Sequence, residues 1–134
     1  MKQFFLLMAV IVLGGAALRF CAARMQGGQA SGAPPVLTPE EARARLEENP
    51  SAILLDVRTQ EEYDSGHIPG AVCLPNEDIQ AEMPMVFDKD AEILVYCRSG
   101  RRSAEAAAKL IAMGCTNVSD FGGILSWPYE TTTD

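Results

Sequence analysis

The chain alternates between short apolar runs and longer polar stretches that carry helix-capping signals. The apolar runs predict buried strands and cover residues 53–57, 71–74, 93–96 and 117–118. The capped stretches predict helices and cover residues 38–49, 59–66, 76–83 and 103–113. Strands that alternate with helices in this way form a parallel sheet covered on both faces, so the pattern predicts an α/β fold.

The stretch at 103–113 follows the clearest strand and has a helical repeat of small and apolar residues. Gly114 is predicted to end this helix. The residues predicted to face the core are Ala104, Ala107, Ala108 and Ile111.

The N-terminal segment has the pattern of an export signal. Residues 4–18 are uncharged and mostly apolar, Lys2 precedes them, and the small residues of 21–23 allow cleavage before Arg24. A run of this length suits a signal peptide and is shorter than the roughly 18 residues that favour a membrane span. We therefore expect a signal peptide at 1–23 and a periplasmic or otherwise extracytoplasmic protein. The alternatives are an uncleaved anchor that tethers the protein to the cytoplasmic membrane through residues 4–23, or a buried N-terminal helix.

Residues 24–35 are small, polar and rich in glycine and proline, which predicts a flexible linker. The folded domain is predicted to occupy residues 36–134. The net charge is −7, and removal of residues 1–23 with Lys2 and Arg19 would take it to −9. An acidic domain of this kind is not expected to bind nucleic acid or an anionic membrane surface.

The cysteines do not form the pattern of a disulfide framework or a metal site. Of the four in the chain, Cys21 lies in the export segment, which leaves Cys73, Cys97 and Cys115 in the domain. An odd number in an exported domain implies at least one free thiol. Their spacing is unlike that of zinc ligands and His67 is the chain's one histidine, so no metal site is expected.

The most informative segment runs from the predicted strand at 93–96 through Cys97 to the helix at 103–113. Ligands of open parallel sheets bind beyond the carboxyl ends of the strands, which is where Cys97 lies. The first N–H groups of a helix are unpaired and favour an anion, and nearby cations favour the thiolate form of a cysteine. Three arginines follow Cys97 within five residues of an acidic chain: Arg98, Arg101 and Arg102. This arrangement predicts a nucleophilic cysteine that meets an anionic substrate.

The residues from Cys97 to Ser103 resemble the active-site loop of the rhodanese family. Three further stretches are similar to the signatures of that family: Leu55-Asp56-Val57-Arg58, the segment 61–71 around Gly66-His67-Ile68, and Gly122-Gly123-Ile124 with Trp127. Because these stretches stand in the family's order across nearly all of the domain, the resemblance is specific.

The resemblance implies a rhodanese-like fold with a five-stranded parallel sheet flanked by helices on both faces. It also implies a sulfurtransferase that moves sulfur from thiosulfate or a persulfide donor to a thiol or cyanide acceptor, without a cofactor. Cys97 would be the catalytic residue and carry the sulfur as a persulfide. The residues expected to bind the substrate are Arg98, Ser99, Gly100, Arg101, Arg102 and Ser103.

Two alternatives remain at this point. A non-catalytic sulfur-carrier or sulfide-sensing module would dock on a partner through the same loop, although the intact cysteine favours an enzyme. A phosphatase or arsenate reductase is a further, minor interpretation. The related cell-cycle phosphatases have an arginine six positions after the cysteine, where this chain has Ser103, so the shorter loop favours sulfur over phosphate.

Other polar and aromatic residues near these motifs are expected to have structural roles. We predict that His67 fixes a loop by a hydrogen bond and that Asp56 and Arg58 tie loops together. Packing roles are predicted for four more residues: Tyr63, Trp127, Cys73 and Cys115.

Overall fold

The computed structural model of the chain describes residues 33–80 and 87–134. The predicted signal peptide or anchor at 1–23, most of the predicted linker at 24–35 and the end of the helix predicted at 76–83 lie outside these residues. Within the described ranges, no helix combines the length and apolar character that crossing a bilayer requires.

Four parallel strands form the sheet of the described domain. They are β1 (Ile53–Asp56), β2 (Val72–Cys73), β3 (Ile93–Cys97) and β4 (Val118–Gly123). Their spatial order is β2-β1-β3-β4, and β3 therefore lies inside the sheet beside β1 and β4. Beyond β4, Val36 makes a single parallel bridge to Asp120 instead of a full strand. The described sheet thus has one strand fewer than the five that the resemblance implies.

The first two helices begin where the capping signals place them. α1 (Pro39–Glu48) and α2 (Gln60–Ser65) each start with a complete capping box, from Thr38 to Glu41 and from Thr59 to Glu62. The helix predicted from Asn76 is, in its described part, a single 3-10 turn at Asn76–Asp78. α3 (Arg101–Ala112) starts two residues earlier than predicted because Gly100, with a φ of +112°, turns the chain directly into the helix.

The buried face of α3 differs from the predicted one. The residues that face the core are Ser103, Ala106, Ala107 and Leu110. Ala104 and Ala108 are exposed, whereas Ala107 is buried and Ile111 is half-buried against the core, so half of the predicted face was right. The prediction followed apolar character and passed over Ser103, whose hydroxyl can be buried because it bonds to backbone carbonyls.

Each face of the sheet has its own apolar core because successive strand residues point to opposite sides. Leu55 and Val95 pack with α3 on one face. Leu54 and Leu94 pack with Ala42 of α1 on the other face, where Tyr63 of α2 also lies. The carboxyl end of β3 is held between these two layers, and it is there that Cys97 lies.

Candidate active site

Cys97 is the last residue of β3, and its sulfur is enclosed by the loop that follows it. The residue is 1% exposed, and its Sγ accepts a hydrogen bond of 2.9 Å from the backbone N–H of Gly100. The hydroxyl oxygen of Ser103 lies 3.5 Å from the same sulfur. The sulfur therefore faces one backbone N–H of the loop and one hydroxyl in the first turn of α3.

Ser103 connects the loop to the end of β4 through its hydroxyl group. Its hydroxyl is within hydrogen-bond distance of two carbonyl oxygens, Gly100 O at 2.9 Å and Gly122 O at 3.2 Å. Because the residue is 0% exposed, its contacts are to the loop and to β4 and not to bulk solvent. Ser103 is one of the residues predicted to bind the substrate, and its contacts place it where it positions the loop.

Gly122 and Gly123, at the end of β4, lie close to the backbone of the loop that follows Cys97. In the register of the sheet, Cys97 pairs with Gly123. A side chain at Gly123 would collide with the carbonyl oxygen of Arg98, and its Cβ would lie 2.7 Å from the Cα of Ser99. The sequence identified Gly122-Gly123 only as part of a family signature, because a close approach between segments this far apart leaves no local pattern.

The three arginines after Cys97 occupy two different environments. Arg98 and Arg101 are exposed, and among the described residues neither makes an ion pair. Arg102 is half-buried and grips Glu62 of α2 with both terminal nitrogens, at 2.7 and 3.0 Å. Arg102 therefore differs from Arg98 and Arg101 in position and in having its charge compensated by a carboxylate.

Glu62 is a site residue that sequence reasoning quoted within a motif but gave no role. The hydrogen bond from Arg102 lowers the pKa of the Glu62 carboxyl from 4.5 to about 2, and the backbone bond from Thr59 acts in the same direction. The same pair raises the pKa of Arg102. Both groups are therefore charged throughout the physiological range.

A buried ion pair supports the neighbouring loop. Arg58 donates to Asp56 through Nη2 at 2.7 Å and to the carbonyl oxygen of Gly66, also at 2.7 Å. Burial is the largest single influence and favours the neutral form of Arg58, but the hydrogen bond to Asp56 and the negative charges nearby together outweigh it, so the pKa of the guanidinium is raised. The pair links the end of β1 to the end of α2, as predicted for Asp56 and Arg58.

His67 fixes the turn that follows α2 by a hydrogen bond, as predicted. Its Nδ1 lies 2.8 Å from the carbonyl oxygen of Tyr63, and the two rings stack with centroids 3.7 Å apart. Its backbone pairs with Thr132 near the C-terminus. Trp127 likewise packs against Phe121, with ring centroids 5.6 Å apart.

The other two described cysteines are free thiols with structural surroundings. Cys115 is buried in the core against α3, and Cys73 is half-buried on β2. Burial raises the pKa of both thiols, which keeps them protonated and poorly nucleophilic. No cluster of potential metal ligands occurs within residues 33–80 and 87–134.

Comparison with known proteins gives one consistent match. Residues 38–129 match the rhodanese-like domain family. A sulfurtransferase of Allochromatium vinosum is 38% identical over 89 residues, which cover 66% of this chain and 82% of that protein. The thiosulfate sulfurtransferase GlpE of Pseudomonas syringae is 38% identical over 100 residues, which cover 71% of this chain and 92% of that protein.

Solved structures agree with the sequence comparison. The rhodanese-like domain of the Alr3790 protein from Anabaena superposes with a TM-score of 0.67 at 30% identity, over 75% of this chain and 80% of that one. The family match spans the sheet, α3 and the loop that encloses Cys97, and relatives of similar length are named as sulfurtransferases. The chain belongs to the rhodanese-like domain family, whose members include sulfurtransferases.

Proposed function

We propose that this protein is a single-domain sulfurtransferase that moves sulfane sulfur from thiosulfate or a persulfide donor to a thiophilic acceptor through a Cys97 persulfide. The observation that carries the proposal is the position of the Cys97 sulfur. It lies at the carboxyl end of β3, 2.9 Å from the N–H of Gly100 and at the start of α3. Backbone donors and a helix N-terminus stabilise negative charge on sulfur.

The proposed reaction has two steps that balance in sulfur and charge. The Cys97 thiolate attacks the outer sulfur of thiosulfate, the S–S bond of thiosulfate breaks, and sulfite leaves with the bonding pair. The cysteine then carries a persulfide anion. Cyanide or a thiolate attacks the outer sulfur of this persulfide and leaves with it, and the Cys97 thiolate is restored.

The exposed arginines support an anionic donor. Arg98 and Arg101 are cations beside the loop that make no ion pair among the described residues, in a chain with a net charge of −7. Guanidinium groups bind oxyanions through a planar pair of donors. They are the groups we assign to the sulfonate oxygens of thiosulfate.

The enclosure of Cys97 favours sulfur over phosphate. The sulfur already has the Gly100 N–H within hydrogen-bond distance and is 1% exposed, so the loop closes tightly around it. One added sulfur atom needs less space than a phosphoryl group with three equatorial oxygens.

Mass spectrometry of the intact domain after incubation with thiosulfate tests the proposal. We expect a gain of one sulfur atom on Cys97, its loss on addition of cyanide, and release of thiocyanate over many turnovers. Cys97→Ser is the control and should gain no sulfur. A persulfide that forms but is not passed on would indicate a carrier or sensing module, and the absence of any mass gain from thiosulfate or a persulfide donor would contradict both.

A further inference from the structure

We infer that Glu62 is a positioning residue that determines anion specificity, because it holds Arg102 away from the substrate and limits the cations available at the loop to Arg98 and Arg101. The inference rests on the proposed function for its biological meaning. The geometric observation that supports it is the Glu62–Arg102 ion pair.

The pair is fixed from both sides. Arg102 donates to both carboxylate oxygens of Glu62, at 2.7 and 3.0 Å. The carboxylate is held in turn by the backbone N–H of Thr59 at 2.9 Å, as part of the capping box of α2. Arg102 therefore binds a carboxylate that is already oriented, and little side-chain entropy remains to be lost.

Arg102 is close enough to the reacting sulfur to matter if it were released. Arg102 lies in the first turn of α3, one residue before Ser103, whose hydroxyl oxygen is 3.5 Å from the Cys97 sulfur. The charges of Cys97 and Glu77 also act to raise the pKa of Arg102. Glu62 makes the largest contribution, and its carboxylate compensates the positive charge of the guanidinium. Without it, the loop would present three cations to an incoming anion.

Two cations suit the proposed reaction better than three. Thiosulfate and the leaving sulfite are both small anions, and a third arginine would bind both more tightly. Stronger binding of the product slows its release, and a more positive loop also attracts unreactive oxyanions. By pairing with Arg102, Glu62 keeps the site selective and allows sulfite to leave.

The alternative is that Glu62 aims Arg102 at the substrate, and the two arrangements predict opposite signs. If Glu62 withdraws Arg102, Glu62→Gln should increase anion binding at Cys97. If Glu62 aims Arg102, the same change should decrease it. Glutamine retains the capping interaction with Thr59, so α2 should still form.

The test compares the rates at which anionic iodoacetate and neutral iodoacetamide alkylate Cys97, quantified on the Cys97 peptide. The ratio of the two rates reports charge at the sulfur and needs no sulfur transfer. We expect E62Q to raise this ratio by about three- to tenfold. The double variant E62Q/R102A, which removes both charges of the pair, should return to within about twofold of the parent protein, while R98A should lower the ratio.

Glu92→Gln is the matched control. Glu92 also pairs with an arginine, Arg45, but it precedes β3, at the opposite end of the sheet from Cys97. Glu92→Gln changes the net charge by the same amount as E62Q. Glu92 is farther from the Cys97 sulfur than the Debye length of about 10 Å, so the alkylation ratio should stay at the parent value. In steady-state assays, E62Q should also lower the KM for thiosulfate and strengthen inhibition by sulfite.

An unchanged or lower alkylation ratio in E62Q overturns the inference, and so does a double variant that loses anion preference as fully as R98A. Failure of the proposed function is a separate result. A parent protein that forms no persulfide would contradict sulfur transfer, while the alkylation ratio would still decide the role of Glu62.

Discussion

The sulfur of Cys97 accepts a backbone hydrogen bond at 2.9 Å, whereas the hydrogen-bond partner of the Cys73 sulfur among the described residues is the carbonyl oxygen of Arg58 at 3.9 Å. Cys115 lies among apolar side chains, and burial raises the pKa of both Cys73 and Cys115. At the scale of single residues, the three thiols therefore differ in whether their surroundings stabilise a sulfur anion.

The first prediction concerns these thiols. Cys97→Ser should abolish transfer of sulfur from thiosulfate to cyanide, because a hydroxyl cannot form a persulfide. Cys73→Ser and Cys115→Ser should retain most of the activity, which a thiocyanate assay measures. Loss of activity in either of the latter with an unchanged circular dichroism spectrum would contradict a mechanism with one cysteine.

The second prediction concerns the exposed arginines. Arg98→Ala or Arg101→Ala should weaken the use of thiosulfate by roughly ten- to a hundredfold at one or both positions, through loss of a short-range charge interaction. Lysine should restore only part of kcat/KM because it lacks the planar pair of donors. Raised salt should inhibit the parent protein more than the alanine variants. If both alanine variants use thiosulfate like the parent protein, the side chains are merely solvated and the backbone alone binds the anion.

At the scale of secondary-structure elements, the loop after β3 depends on contacts with two other elements. The end of β4 lies against its backbone, and Leu125 donates its N–H to the carbonyl oxygen of Arg98 at 3.3 Å. α2 reaches the start of α3 through the Glu62–Arg102 pair. The loop is therefore held by elements on both of its sides.

Gly123→Ala tests the contact with β4. The added methyl group would overlap the backbone of Arg98 and Ser99, so the loop must shift, and we expect kcat/KM to fall by about a hundredfold. Gly70→Ala is the control, because Gly70 also lies in a turn, with a φ of +85°, but a Cβ there meets no atom within 4 Å. That variant should lose about 1–2 kcal/mol of stability and keep its activity. Normal activity in Gly123→Ala would show that the loop tolerates displacement.

The link between α2 and α3 predicts a pH dependence of stability. The pKa of Glu62 is about 2 in the folded protein against an ordinary 4.5, so the stabilisation that the pair provides is complete above pH 4.5. It should decline as the pH falls from about 4.5 towards about 2. Urea denaturation should therefore show a difference in unfolding free energy between the parent protein and Glu62→Gln that is constant near neutral pH and shrinks in acid.

Glu41→Gln is the control in the urea experiment that distinguishes the contribution of a capping box to the unfolding free energy from that of the ion pair. Glu41 occupies the equivalent position in the capping box of α1, and in the described part of the chain no arginine pairs with it. A difference for Glu62→Gln that persists unchanged to pH about 2, or that matches Glu41→Gln at every pH, would contradict the assignment.

At the scale of the whole molecule, an acidic domain presents a small cationic site. The net charge of −7 repels anions at long range, and the arginines beside Cys97 reverse the sign only locally. The domain also follows a segment with the pattern of an export signal, which places the free thiol of Cys97 in an oxidising compartment if export occurs. Enclosure of the sulfur by its loop would then limit its pairing with other thiols.

Cell fractionation tests the export signal. We expect the protein outside the cytoplasmic membrane with a mature N-terminus near Arg24, because residues 4–18 have the length and character of a signal peptide. N-terminal sequencing of the recovered protein measures this. A full-length chain in the membrane fraction would indicate the anchor, and a full-length chain in the soluble cytoplasm would contradict export.

The sequence by itself determined the order of strands and helices and the capping boxes of α1 and α2, and it singled out Cys97 as the predicted nucleophile. Each of these depends on residues near one another in the chain: an alternation of apolar and polar positions, a threonine three residues before a glutamate, or a cysteine between a buried strand and a helix. Interactions between neighbouring residues depend little on the tertiary structure, so these features can be predicted from the sequence alone.

Only the tertiary structure decided which arginines beside Cys97 are exposed, which one is paired, and what holds the loop. Arg102 and Glu62 are separated by 40 residues, and Ser103 and Gly122 by 19. These residues meet because β3 lies between β1 and β4, and that strand order depends on the packing of both sheet faces at once. The same packing buried Ser103 on α3 in place of the expected Ala104, since a hydroxyl that bonds to backbone carbonyls can be buried at little cost.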